Sequence, residues 1–254
     1  MGSPDLAFFR LGGIPLVASG DDLAGIVLAS LADAGMRLQQ GDVLAIAQKI
    51  VSKAEGRSLH LATVEPSAAA TRLANETDKD PRMVELILRD SKRVVRKRPG
   101  LIIVEHRLGV ILANAGIDRS NVTGDEDDVL LLPADPDASA RKLRDTLAER
   151  TGVAPGVLVV DSIGRPWRLG TTGVAIGAAG VTVVADLRGT EDLFGRPMQV
   201  AEIAPADSIA AAAVLLMGEG AEGTPVVLIR GWPATADGQP ATAVLRAPDE
   251  DLFQ

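Results

Sequence analysis

The chain has 254 residues, 46% of them apolar and 24% charged, enough for one large domain or two small ones around a buried core. Its 26 basic and 34 acidic residues sum to −8, with no polybasic tail and only 2% aromatics, which argues against nucleic acid or an anionic membrane as partner. Cysteine is absent, so disulfides, thiolate metal sites and cysteine nucleophiles are excluded.

In chain order, Asp21 is placed to cap a helix that carries Leu23, Ile26, Val27 and Leu31 on one face. Residues 42–47 (DVLAIA) read as a buried strand, and Lys49, Lys53 and Arg57 follow at helical spacing. Asp80-Pro81 starts a second helix with Met83, Leu86 and Ile87 as its apolar stripe, because Asp caps free N–H groups and Pro fits the first helical position. Residues 101–105 (LIIVE) and 109–113 (GVILA) are strands, and Asp137 opens a helix that carries Leu143 and Leu147 and stops at Thr151-Gly152. Residues 156–161 (GVLVVD) and 180–185 (GVTVVA) are strands, 206–217 an Ala-rich helix ending at Gly218, and 225–230 (PVVLIR) a last strand. The stretch after Trp232 is rich in Pro, Ala and Asp and is expected to wrap over the surface. No single βαβ period repeats, so the fold expected is α+β with mixed sheets and helices, not a Rossmann or P-loop fold.

Local signals for chemistry cluster at the ends of these strands. Lys49 and Lys53 follow a buried strand end and suit phosphate; read alone, they also fit a solvated basic helix. In Asn114–Asn121, Asp118 supplies hard oxygen for Mg²⁺ or Mn²⁺ and Asn121 a phosphate or sugar contact, with an Asx turn as the plain alternative. VLVVDSIGR delivers Asp161 at a strand end with Ser162 beside it, the logic of a magnesium site in phosphoryl transfer. Arg165 and Arg168 follow and could neutralise phosphate, while a helix cap is the competing reading of Asp161. In Gly218–Pro225 the glycines free the backbone to approach phosphate, and Glu219 adds a third carboxylate; a bare helix-to-strand turn fits equally well. Gly12-Gly13-Ile14-Pro15 is by itself only a turn. His60 and His106 read as isolated surface residues, so a Ser-His-Asp triad or a zinc hydrolase lacks parts. The chemistry left is that of carboxylate, divalent metal and phosphate. The N-terminus lacks the pattern of a secretory signal, and apolar runs stop short of the about 20 residues that span a bilayer, so a soluble cytoplasmic protein is expected.

Taken in order, GGIP, QKIVSKAEGR, NAGIDRSN, LLPADPDASA, VDSIGRPWRLG and ADSIAAAA with LLMGEGAEGTP resemble the coenzyme F420-0:L-glutamate ligase (gamma-glutamyl ligase) family, from about Leu11 to about Gly231. The resemblance implies one catalytic module over residues 1–233, open to division into two intertwined subdomains, with 234–254 as a surface extension. It implies GTP binding through Gly12, Gly13, Ile14 and Pro15, through Gln48, Lys49 and Lys53, through Asn121, and through the loop of Met217, Gly218, Glu219, Gly220, Ala221, Glu222, Gly223 and Thr224. It also implies two divalent cations, Mg²⁺ or Mn²⁺, one on Asp118 and Asp161 and one on Ser162 and Glu219, with potassium a further candidate. Asp118, Asp161 and Glu219 would then be the carboxylates that serve catalysis. The reaction implied joins L-glutamate to F420-0 with GTP, through an acyl phosphate, in a homodimer; a mean hydropathy of +0.18 is high for so acidic a chain and suits a buried interface. Rival readings are an amide ligase for another acid and a nucleotide sensor without turnover. The chain departs from the family where Gln48-Lys49 replaces a Ser-Thr type pair, Ser208 stands where Glu is usual, and Ser162 replaces Thr but keeps the hydroxyl. A further flavin-binding domain, present in some relatives, is not expected.

Overall fold

A computed structural model describes residues 5–120, 122, 125–232, 234–235 and 238–252. The elements in order are β1 (Ala7–Leu11), α1 (Leu23–Asp33), β2 (Val43–Ala47), α2 (Gln48–Ala54), β3 (Ser58–His60), α3 (Ala68–Thr77), α4 (Pro81–Arg89), β4 (Ser91–Arg98), β5 (Leu101–His106), β6 (Ile111–Ala113), β7 (Asp128–Leu130), α5 (Pro136–Thr151), β8 (Gly156–Arg165), β9 (Arg168–Ala179), β10 (Ala185–Asp186), β11 (Glu202–Ile203), α6 (Pro205–Met217) and β12 (Val226–Arg230).

The main sheet has the order β1-β12-β2-β8-β9, and only β2 and β8 run parallel. It is therefore mixed, as the α+β reading expected. Side chains alternate across it. Leu44, Ile46, Val157, Val159 and Leu228 pack with α1 and α5 on one face. Val43, Ala45, Leu158, Val160 and Val227 pack with α6 on the other. Burial on both faces is why β2, β8 and β12 read as near-continuous apolar runs.

The crossover from β2 to β8 carries the second unit of the molecule. Its three-stranded antiparallel sheet, β4-β5-β6, and the β3-β7 pair close over α3 and α4, with Met83, Leu86, Ile87, Ile102, Val104 and Val129 as core. Asp80 caps α4 by accepting from the Arg82 N–H, as predicted, and Pro81 holds the first helical position.

Several boundaries differ from expectation. Asp22, not Asp21, precedes α1; the Asp21 carboxylate instead accepts from the Ala18 N–H. Asp135 caps α5, which frees Asp137 to accept from the N–H groups of Ala178 on β9 and of Ala241. Residues 180–184 are not a strand: Gly180 turns at positive φ, and the N–H groups of Val183 and Val184 go to the Gln239 side chain. Val181 and Val183 are core residues there without a ladder. Ala241, in the stretch expected on the surface, is buried against the same face of the sheet. His106 is buried rather than exposed. Its Nδ1 accepts from the Leu108 N–H, and burial pushes its pKa below the usual imidazole range. His60 stays partly exposed near Asp125.

Candidate active site

The site grows from the carboxyl ends of the parallel pair, where open sheets usually hold ligands. Ala47, the last residue of β2, pairs with Val160, so Gln48 follows where β2 ends, beside Asp161 on β8. Beyond Ala47 the chain turns directly into α2 and carries Gln48, Lys49 and Lys53 with it. That helix stops at Ala54, because Gly56 adopts positive φ and its N–H bonds the Lys53 carbonyl. Arg57 thus leaves the predicted face: its guanidinium donates to the Leu132 carbonyl and lies 3.6 Å from Asp90.

Asp161 neither ends its strand nor caps a helix. β8 continues to Arg165, paired with β9, and places Arg165 and Arg168 at the hairpin end, away from the cleft lining. A carboxylate held inside a ladder has a fixed direction, which a loop would not give it. The Ser162 N–H donates to Asp161 Oδ1 at 2.9 Å, and the Ser162 hydroxyl donates to Glu219 Oε2 at 3.0 Å. That second bond ties β8 to the loop between α6 and β12.

Asp118 arrives from the inserted unit. An isolated bridge to Leu130 fixes its backbone, and the Ser120 N–H and hydroxyl donate to Oδ1 at 2.7 and 2.8 Å. Lys49 Nζ lies 2.7 Å from Asp118 Oδ2 and donates to the Ser120 hydroxyl at 3.1 Å. Burial works to raise the Asp118 pKa, but the bonds from Lys49 and Ser120 outweigh it and hold it below the usual range. At Asp161 burial wins. The nearby negative charges of Asp118 and Glu219 add to it, against the Ser162 N–H and Lys49, and the carboxyl is pushed up to about 7. Burial, and then the charge of Lys49, pushes Lys53 down.

A cleft of about 400 Å³ collects most of the predicted residues: Ile14, Pro15, Gln48, Lys49, Lys53, Asp161, Ser162 and Met217 through Thr224. Its volume is in the range that holds a small-molecule ligand. Gly12 and Gly13 do not line it. Gly12 is held from behind by the Ser30 hydroxyl on its carbonyl, and Gly13 turns at positive φ, so the pair steers Ile14 and Pro15 into the wall. Asp118 adjoins the cleft through Lys49. Asn121 lies outside the described residues. In the glycine loop the Glu222 carboxylate accepts from the Gly220 N–H, and the Thr224 hydroxyl closes the loop on the Met217 carbonyl. Ser208, on the outside of α6, bonds back to the Ala204 carbonyl. A larger cavity, about 570 Å³, lies between β9, the insert and the C-terminal stretch. It holds none of these residues, so the chemistry assigns the smaller cleft.

Among the described residues no three His, Cys, Asp or Glu side chains are grouped to hold one ion. Of the candidate oxygen donors, Ser162 is bonded to Glu219, and Asp118 and Glu219 act on Asp161 through their charge. They fit a divalent cation on two counts: all are hard oxygens, and the half-buried Asp161 faces two like charges that a cation would offset. Sequence reasoning gave no role to Ser52 or Ser120, which the structure bonds to the candidates Gln48 and Asp118.

The F420-0:Gamma-glutamyl ligase family model matches residues 13–231. The coenzyme F420:L-glutamate ligase of Methanopyrus kandleri is 46% identical over 98% of this chain and 99% of its own length. That of Methanothermobacter thermautotrophicus is 44% identical over 95% and 96% of the two chains, and that of Archaeoglobus fulgidus 39% over 97% and 95%.

Proposed function

The chain belongs to the F420-0:gamma-glutamyl ligase family, and from that premise we propose that it joins L-glutamate to coenzyme F420-0 at the expense of GTP. The observation that carries this reading is the meeting of three separate segments at one cleft, Gln48, Lys49 and Lys53 on α2, Asp161 and Ser162 on β8, and Glu219 from the α6–β12 loop, with Asp118 of the insert joined to it through Lys49.

In the proposed reaction a carboxylate oxygen of F420-0 attacks the γ-phosphorus of GTP. The new O–P bond forms as the bridging P–O bond breaks, giving an acyl phosphate and GDP. The amine of glutamate then attacks the acyl carbon, loses a proton and displaces phosphate, leaving an amide. Divalent cations, Mg²⁺ or Mn²⁺, on Asp118 with Asp161 and on Ser162 with Glu219 would offset the charge that develops on the phosphate oxygens. Lys49 and Lys53 on α2 supply positive charge to the same cleft, and the β2 end and the adjoining part of β8 hold reactants in line. No protein nucleophile is needed, which suits a chain without cysteine.

The test is mass spectrometry of F420-0 incubated with the protein, GTP, Mg²⁺ or Mn²⁺ and glutamate. The expected outcome is a product heavier by one or more glutamyl residues, with GDP and phosphate. Release of phosphate only with a different acid would favour an amide ligase of other specificity, and GTP binding without phosphate release a sensor. We further propose a cytoplasmic homodimer. The exposed Leu169, Leu193, Phe194, Val200 and Leu215 support a buried apolar interface, and light scattering that returned a 26.4 kDa particle at micromolar concentration would sink it.

A further inference from the structure

The proposed reaction brings together two large substrates, a nucleotide and the acceptor, whereas the cleft of about 400 Å³ is sized for one small-molecule ligand. The cavity of about 570 Å³ between β9, the insert and the C-terminal stretch is of the same class. It begins one cross-strand pair from the cleft. Asp161 pairs with Val174 across β8 and β9, and side chains so paired share a sheet face, with Cβ atoms about 5 Å apart. Asp161 lines the cleft and Val174 the cavity. Ile163, two residues beyond Asp161 and hence on the same face, also lines the cavity. The other walls are Leu108 and Val110 from the β5–β6 turn of the insert, and Val244 and Leu245 from the C-terminal stretch. All six side chains are apolar and none is fully buried, so three parts of the fold leave apolar surface open to a ligand. Among the described lining residues Lys92, Arg93 and Arg246 are balanced by Glu105, Asp207 and Asp251. Neither an excess of cations nor the candidate metal donors stand there to bind a second polyphosphate. A flat heteroaromatic body between aliphatic walls suits the space better.

We propose that this cavity receives the deazaflavin ring of F420-0, while the arm that bears its carboxylate reaches past Val174 to the phosphoryl group at Asp161. The inference rests on the ligase reading and deepens it, by giving nucleotide and acceptor separate volumes that meet at Asp161. The insert then has two tasks, holding the acceptor through its β5–β6 turn and delivering Asp118. Junctions between units of a fold are common places for a ligand.

The experiment measures F420-0 binding by the fluorescence of its ring, alongside phosphate release from GTP that requires both F420-0 and glutamate. Val110→Trp and Val244→Trp each fill part of the cavity from a different wall. Each is expected to raise Kd and KM for F420-0 roughly tenfold or more while KM for GTP stays within about twofold, the scale on which an apolar pocket discriminates. Wild-type affinity for F420-0 in both variants, at unchanged melting, overturns the proposal. If either variant melts below the assay temperature, a thiol decides. The chain has no cysteine, and Thr242 is exposed and lines the cavity, so Thr242→Cys provides a single labelling site. F420-0 at a concentration that saturates turnover is expected to slow labelling of that thiol several-fold, and GDP alone to leave it unchanged. Labelling that ignores F420-0, or that GDP alone slows equally, overturns the assignment. Absence of acceptor-dependent turnover in the wild-type protein would overturn the ligase reading, and this inference with it.

Discussion

The central sheet and the inserted unit build their contributions to the site by opposite means. Strands β2, β8 and β12 are buried on both faces, and β8 first becomes polar where it meets the cleft, at Asp161 and Ser162. In the insert, β5 alternates between buried and half-buried residues, and β4 (SKRVVRKR) is mostly exposed and held partly by ion pairs of Lys92 and Arg93 with Glu105. The sheet fixes direction through close packing, whereas the insert delivers one carboxylate, Asp118, and docks it by an ion pair to Lys49. Half-exposed ion pairs contribute little each, so the insert is expected to be the less stable partner.

The largest expected effect falls on both regions together. Chelation of divalent cations should abolish acceptor-dependent phosphate release, and Mg²⁺ or Mn²⁺ should restore it, because every candidate ligand is a hard oxygen. Full turnover in excess chelator would remove the need for Asp118 and Asp161 to meet at all.

Asp161→Asn tests the sheet's side of the comparison. It keeps size but removes the charge that holds a cation, a loss of several kcal/mol and hence on the order of 10³-fold in rate. Folding should hold, since the variant relieves the repulsion from Asp118 and Glu219. Asp186→Asn is the control, because Asp186 sits on β10 and pairs with Arg188, away from the cleft. Activity of Asp161→Asn within about threefold of wild type, under 1 kcal/mol, would break the assignment.

Stability should divide along the same line. Leu228→Ala in β12 and Ile87→Ala in α4 each empty a fully buried site and should cost about 2–5 kcal/mol. In hydrogen exchange the first is expected to loosen the whole sheet, and the second only the helices and strands of the insert. Uniform loss of protection in Ile87→Ala would show one cooperative unit instead of two.

The smallest effect is a pH dependence confined to the insert. The Ser67 hydroxyl, the Ser67 N–H and the Arg89 guanidinium hold the Glu85 carboxyl down to about 2, joining the start of α3 to α4. A lowered folded-state pKa means that the ionised form stabilises the fold. The contribution is complete above the ordinary glutamate value of 4.5 and is lost as pH falls from there toward 2. Glu85→Gln should cost about 1 kcal/mol at neutral pH and flatten that part of the acid melting profile. An unchanged profile in the variant would show that another group sets it.

The sequence by itself determined the apolar strands β2, β5, β8 and β12, the stripe on α4 and the capped start at Asp80, because periodicity and capping are local properties. It also offered Asp118, Asp161, Ser162, Glu219 and the lysines as candidates, from strand ends and a glycine loop, because charge or hydroxyl near such breaks is visible in one dimension. Strand β4 escaped notice because a half-exposed edge strand tolerates charge, and β9 because its glycines admit Ala210 and Pro136 of the covering helices where side chains would clash. Residues 180–184 misled in the reverse sense: they are apolar because they fill the core, but their N–H groups bond a distant Gln239 rather than a neighbouring strand. The exit of Arg57 from the cation row, the burial of His106 and the run of β8 past Asp161 were decided only by tertiary structure. Each depends on a partner far along the chain or on the packing around it, and a pattern of neighbouring residues carries no record of which distant group will stand opposite.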